Sequence, residues 1–126
     1  MRKTTGKIVA ASLLAAAGVL VQVAPAQAAT VDVWQNASYT GGYRGMGETQ
    51  STYHGYYFNN GTRLWDAVTS LKNHANNWTT FWTGHFCTGS GFSVEPDASG
   101  GDRANVGTKF NDTFSSHAPE WMRNGC

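Results

Sequence analysis

Apolar and polar positions alternate along much of the chain beyond residue 30. Val31-Asp32-Val33-Trp34 opens with the period of two that a half-buried strand requires. Thr79 to Cys87, rich in aromatic residues and threonine, has strand character too. One stretch departs from alternation: Leu64, Val68 and Leu71 fall at helical spacing and predict a helical turn over Arg63 to Leu71. Gly41-Gly42, Asn59-Asn60-Gly61, Gly89-Ser90-Gly91 and Ser99-Gly100-Gly101-Asp102 punctuate the runs as turns. Short strands between such turns predict an all-β sandwich or barrel.

The start of the chain obeys a different rule. Arg2, Lys3 and Lys7 precede an apolar run from Ile8 to Val23, and Ala26-Gln27-Ala28 follows as a small-x-small cleavage signal. This is the layout of a secretory signal peptide, residues 1–28. The run of 16 residues is shorter than the ~20 of a membrane-spanning helix and contains Gln22. Residues 29–126 are then one extracellular domain with no membrane attachment. That domain has six basic and eight acidic residues, net −2, so the +1 of the whole chain belongs to the leader. It carries no basic patch for nucleic acid. Only 13% of residues are charged, against about 25% in an ordinary domain, and 15 glycines accompany 16 aromatics, which suits a turn-rich β protein. Export also favours a disulfide between the two cysteines, Cys87 and Cys126. It would close a loop of about 40 residues and contribute roughly 4 kcal/mol. A free thiol pair or a bridge between two molecules is the alternative.

The chain repeats itself. Trp34, Tyr39 and Gly41 recur 48 residues on as Trp82, Cys87 and Gly89. Asp66-Ala67-Val68-Thr69-Ser70 recurs 46 residues on as Asp112-Thr113-Phe114-Ser115-Ser116. Two homologous units are expected, about 31–75 and 79–120. In each, paired aromatics and a glycine suit a tight hairpin, with glycine in a conformation a side chain would forbid. The loop that follows ends in a serine able to hydrogen-bond the hairpin backbone. Trp34 and Trp82, at the two corners, are expected in the core.

Aromatic-x4-aromatic-x-Gly, followed by Asn/Asp-Asn/Asp-x-x-Ser/Thr-Ser, twice in order, resembles the βγ-crystallin superfamily. The resemblance spans Val31 to Pro119 and implies a βγ-crystallin-like β-sandwich of two Greek-key units. Asn111 to Ser116 matches the loop pattern at all fixed positions, whereas the first loop has Trp65 where Asn or Asp leads. Cys87 also stands where the second corner aromatic is usual. Calcium is the implied ion, and the loops supply the hard oxygens it prefers. By resemblance Asn111 offers its side chain, Thr113 a carbonyl and Ser115 its hydroxyl. Ala67 and Thr69 take the matching roles, and Asp66 and Asp112 support the loops. Each site draws on both loops, so Trp65 impairs at least one of them, and weak binding is expected.

Size and export also resemble small secreted bacterial proteinase inhibitors, metalloproteinase inhibitors among them, that share this fold. The implied protein is monomeric and non-enzymatic: a peptidase inhibitor with a secreted protease as partner, a calcium-binding extracellular protein, or both. Pro96 to Gly107, the longest irregular stretch, is a candidate reactive loop, though a plain connection between strands suits its residues better.

Other chemistry is thinner. The chain has no His-Glu-x-x-His and no Gly-x-Ser-x-Gly. Arg44, Glu48 and His54 could form the acid-base set of a small secreted hydrolase or toxin, against a reading of His54, His74, His85 and His117 as surface residues. Trp34, Trp65, Trp78, Trp82 and Trp121 leave room for a glycan-binding module. The aromatic run Tyr53 to Phe58, with Tyr53, Tyr56 and Tyr57, is the candidate partner face. Sequons at Asn36, Asn60, Asn77 and Asn111 matter only in a host that glycosylates.

Overall fold

Seven short strands carry the alternation into three dimensions: β1 (Val31–Asn36), β2 (Thr40–Met46), β3 (Ser70–Asn73), β4 (Thr79–Trp82), β5 (Gly91–Val94), β6 (Asp102–Arg103) and β7 (Ser116–Pro119). The structure, a computed structural model, describes residues 30–122 and 125–126, so the expected leader at 1–28 lies outside it. One sheet has the order β2-β1-β3-β6 and the other β5-β4-β7, with all neighbours antiparallel. Val31, Val33, Leu71, Phe81 and Val94 point between the sheets and are fully buried there, joined by Tyr53, Leu64, Val68 and Phe114 from the connections.

The two halves are tied across the sheets. β6 belongs to the second half of the chain but pairs with β3, in register Leu71 to Arg103, and so completes the first sheet. In return, Gln50 forms a single bridge to His117 on β7, and the Tyr53 amide donates to the Ser115 carbonyl at 2.8 Å. Pro96 to Gly107 is part of this exchange and not a projecting loop: the Ser38 amide donates to Ala104 and the Val106 amide to Thr69.

The corners repeat down to single dihedral angles. Ser38 and Tyr39 take left-handed φ values of 57° and 61°, and Phe86 and Cys87 take 57° and 59°. Gly41 and Gly89 follow at 79° and 87°, and Asp66 and Asp112 at 53° and 55°. One hydroxyl closes each corner. Ser70 Oγ donates to the Asn36 carbonyl at 2.6 Å and accepts from the Tyr39 amide at 3.1 Å. Ser116 Oγ donates to the Gly84 carbonyl at 2.6 Å and accepts from the Cys87 amide at 3.0 Å. Cys87 and Cys126 form the disulfide, which fastens the chain's end to the second corner.

Four expectations need correction. Arg63 to Leu71 holds no helix. Its apolar residues are buried because the chain passes from a hairpin through a crossover loop into β3, and the left-handed Asp66 interrupts any helical turn. Gly41-Gly42 lies inside β2, where a Cβ on Gly42 would stand 2.7 Å from the Phe58 and Asn60 side chains. Trp34 and Trp82 are half-buried on the outer sheet faces, since strand alternation opposes them to Val33 and Phe81; Trp34 packs on Tyr39 and Tyr43 at 5.2 and 5.3 Å. Finally, His117 is fully buried and not a surface residue. Its Nε2 donates to the Gly47 carbonyl at 2.8 Å, so its Nδ1 accepts from the Tyr53 hydroxyl at 2.7 Å. Burial lowers the His117 pKa to about 4 and raises that of Tyr53 well above its ordinary value.

Two predictions follow from this frame. Ser70→Ala and Ser116→Ala each orphan a backbone donor and acceptor, so each should cost about 1–3 kcal/mol in urea unfolding, against less than about 1 kcal/mol for the exposed Thr40→Ala. The His117 pKa is lower folded than unfolded, so its neutral form stabilises the fold above pH 6.5 and that contribution is lost as pH falls through about 4. The melting temperature should therefore drop across that interval, and His117→Gln should flatten the slope there.

Candidate metal site between the crossover loops

The two Asp-x-x-Ser/Thr-Ser loops meet because each half completes the other. The Asp66 amide donates to the Phe114 carbonyl, and the Asp112 amide donates to the Val68 carbonyl, both at 3.1 Å. Left-handed backbone at Asp66 and Asp112 turns each loop toward its partner, a conformation that Asp tolerates better than most residues. Side chains repeat the exchange. Thr69 Oγ1 lies 3.4 Å from Asp112 Oδ1, and Ser115 Oγ lies 3.3 Å from Asp66 Oδ1. Each pair joins a hydroxyl from one loop to a carboxylate from the other.

The surroundings of the two pairs differ. Beside Thr69 and Asp112 an open pocket of ≈ 470 Å³ is lined by Asn111, Ala67, Asp66 and the corner Gln35 to Ala37. Asn111 Nδ2 donates to Asp112 Oδ2 at 2.9 Å. Arg63 also lines the pocket, but its guanidinium lies 4.9 Å from the Trp65 ring centre. On the other side, the repeat puts Trp65 at the position of Asn111. Its ring packs 5.1 Å from His54 and 6.1 Å from His85, and His85 Nδ1 is bonded to Thr52 Oγ1 at 2.8 Å. An aromatic cluster stands there in place of an amide.

The sequence-derived residues therefore separate. Asn111, Ala67 and Thr69 share the open pocket, whereas Ser115 meets Asp66, and Thr113 Oγ1 donates within its own loop to Phe110 at 2.7 Å. Asp66 and Asp112, set aside as loop supports, are the carboxylates that meet the hydroxyls. The signal for them was their place in the repeat. Carboxylates, hydroxyls and an amide form a hard oxygen set that fits calcium and not a soft metal. Among the described residues no three His, Cys, Asp or Glu side chains gather at one metal position.

The remaining candidates are dispersed. Tyr53 is fully buried and cannot serve a partner face, whereas Tyr57 is 54% exposed and Tyr56 36%. Arg44 Nη1 donates to the Tyr57 carbonyl, Glu48 accepts from Asn77, and His54 packs on Trp65, so the proposed acid-base set has three separate sets of contacts.

Solved structures match this architecture. A βγ-crystallin domain from Clostridium beijerinckii is 22% identical with TM-score 0.56, covering 71% of this chain and 94% of that one. An archaeal βγ-crystallin is 19% identical with TM-score 0.56, covering 74% and 99%. A structure concerned with the evolution of the eye lens βγ-crystallin domain fold is 17% identical with TM-score 0.60, covering 77% and 91%. The fold is that of a βγ-crystallin domain. No protein-family model and no curated protein sequence matches the chain. Among the described residues no helix is long and apolar enough to cross a membrane.

Proposed function

We propose that the chain is a secreted, non-enzymatic βγ-crystallin-like protein that binds one calcium ion between its crossover loops. The observation that supports this reading most is the approach of Thr69 Oγ1 to Asp112 Oδ1 beside an open pocket lined by Asn111. Asn111, Asp112 and Thr69 would hold the ion, with Ala67 beside them. Calcium supplies positive charge that relieves the crowding of oxygens there. The site of Ser115 and Asp66 is silent in this reading, because Trp65 offers no oxygen. A shallow site with one carboxylate resembles extracellular modules, whose dissociation constants are about 10⁻⁴–10⁻³ M.

Titration of the metal-free protein should give one site, and calcium at about ten times Kd should stabilise the fold by roughly 1.5 kcal/mol. Asp112→Asn and Thr69→Ala should abolish the heat and the rise in melting temperature, while Ser115→Ala keeps both. No heat at millimolar calcium would sink the proposal, and so would loss of binding in Ser115→Ala alone.

Peptidase inhibition is the second reading, and it rests on a hairpin. Phe58 and Leu64 amides donate to Thr62 and Tyr56 carbonyls at 2.8 and 2.9 Å, and the tip Asn59-Asn60-Gly61 is exposed. Asn60 Nδ2 anchors the tip to Gln35 Oε1 at 2.8 Å, and the Tyr43 amide donates to Asn59 Oδ1 at 2.9 Å. Such a pre-ordered segment loses little entropy on entering a protease cleft. Assayed against thermolysin-type and subtilisin-type proteases, the protein should inhibit at least one, with Tyr57→Ala weakening inhibition about tenfold or more. Inhibition insensitive to Tyr57→Ala and to Asn60→Ala contradicts this assignment.

A further inference from the structure

The outer face of the second sheet holds a groove that neither functional reading uses. Alternation sends Trp78, Thr80 and Trp82 to one side, opposite Thr79 and Phe81, with Thr80 buried at 4% exposure between the two more exposed indoles. Across four residues this row extends about 13 Å. At one end Trp78 and Trp121, 47% and 73% exposed, line a pocket of ≈ 330 Å³ with Asn77 and Glu120. Glu120 also lines a second pocket of ≈ 270 Å³ with Thr80, Trp82 and Ser93. The two adjoin at Glu120, which lines both. Thr80 and Ser93 hydroxyls pair at 2.9 Å, and the Trp82 ring lies against Gly91, where a Cβ would approach it to 3.1 Å.

We propose that this groove binds a neutral oligosaccharide of pyranose rings. A pyranose is amphipathic: its C–H faces carry partial positive charge and suit the negative face of an indole, while its hydroxyls need hydrogen-bond partners at the edges. The groove supplies both, with Trp78, Trp121 and Trp82 as stacking surfaces, Glu120 and the exposed Ser93 beside them, and Asn77 at one end. A lipid surface or a wholly apolar peptide would match the indoles but not the polar residues beside them. The charge excludes acidic glycans, since Glu120 lines the path and Glu48 Oε1 lies 3.1 Å from Asn77 Nδ2 at its end. The length favours several linked rings over a single sugar. The residues involved are distinct from Thr69, Asn111 and Asp112, so the inference stands whether or not calcium binds.

The test is a titration of the mature protein with cellohexaose, laminarihexaose and chitohexaose, followed by tryptophan fluorescence and calorimetry. At least one should bind, and Trp78→Ala and Trp121→Ala should each weaken it roughly tenfold, with Trp78→Tyr retaining part of the affinity. Asp112→Asn should leave it unchanged, and polygalacturonate should bind more weakly than the neutral chains. Because both tryptophans are exposed, the variants should melt within a few degrees of the parent, which separates loss of binding from loss of fold. No binding of any of the three neutral chains overturns the proposal. So does binding unaffected by both alanine variants, or concentration-dependent self-association lost in Trp78→Ala without sugar binding.

Discussion

Everything in this domain depends on a left-handed corner closed by one serine. A hairpin whose backbone enters positive φ at two non-glycine residues is strained. It persists because Ser70 or Ser116 meets both the amide and the carbonyl that the corner leaves unpaired. The serine begins the next strand, so the bond also fixes where the chain returns after its excursion. That excursion is what each half lends to the other sheet. Corner and crossover loop are thus one device, made twice, with a paired strand exchanged in one direction and a single bridge in the other.

Much of this was legible in the chain. The spacing of Trp34, Tyr39 and Gly41 against Trp82, Cys87 and Gly89 carried the repeat, and the structure places left-handed backbone at those same corners. The role of the closing serine was also readable, because a serine has both donor and acceptor and little else to do there. Less legible were features that depend on the opposite half. Leu64, Val68 and Leu71 mimic a helical face because three unrelated segments each turn one side chain into the same core. Tyr53 was taken for surface because its buried hydroxyl has its partner, His117, 64 residues away. Trp34 and Trp82 were assigned to the core by their place at the corners of the repeat, yet strand alternation gives the inner face to their neighbours.

The candidate site was half legible. Loop positions could be read from the repeat, but which oxygen meets which could not, since the pairs Thr69–Asp112 and Ser115–Asp66 arise only when the loops cross. The two halves then diverge where the frame tolerates it. Asn111 faces Trp65 in the repeat, as Tyr39 faces Cys87. One substitution replaces an amide with an aromatic cluster, and the other replaces a ring with a covalent tether. The second keeps the corner amide from which the closing serine accepts, and neither alters the exchanged strand, so the scaffold stays intact while its chemistry becomes asymmetric.

The central claim is that the halves are interlocked and open together. Native-state amide hydrogen exchange on residues 29–126 tests it most directly, read at Tyr39, Cys87, Asp66 and Asp112, whose amides close the corners and cross between the loops. A single interlocked unit predicts one shared opening free energy for all four, equal to that of global unfolding. Two opening energies, one for each half of the chain, would contradict it.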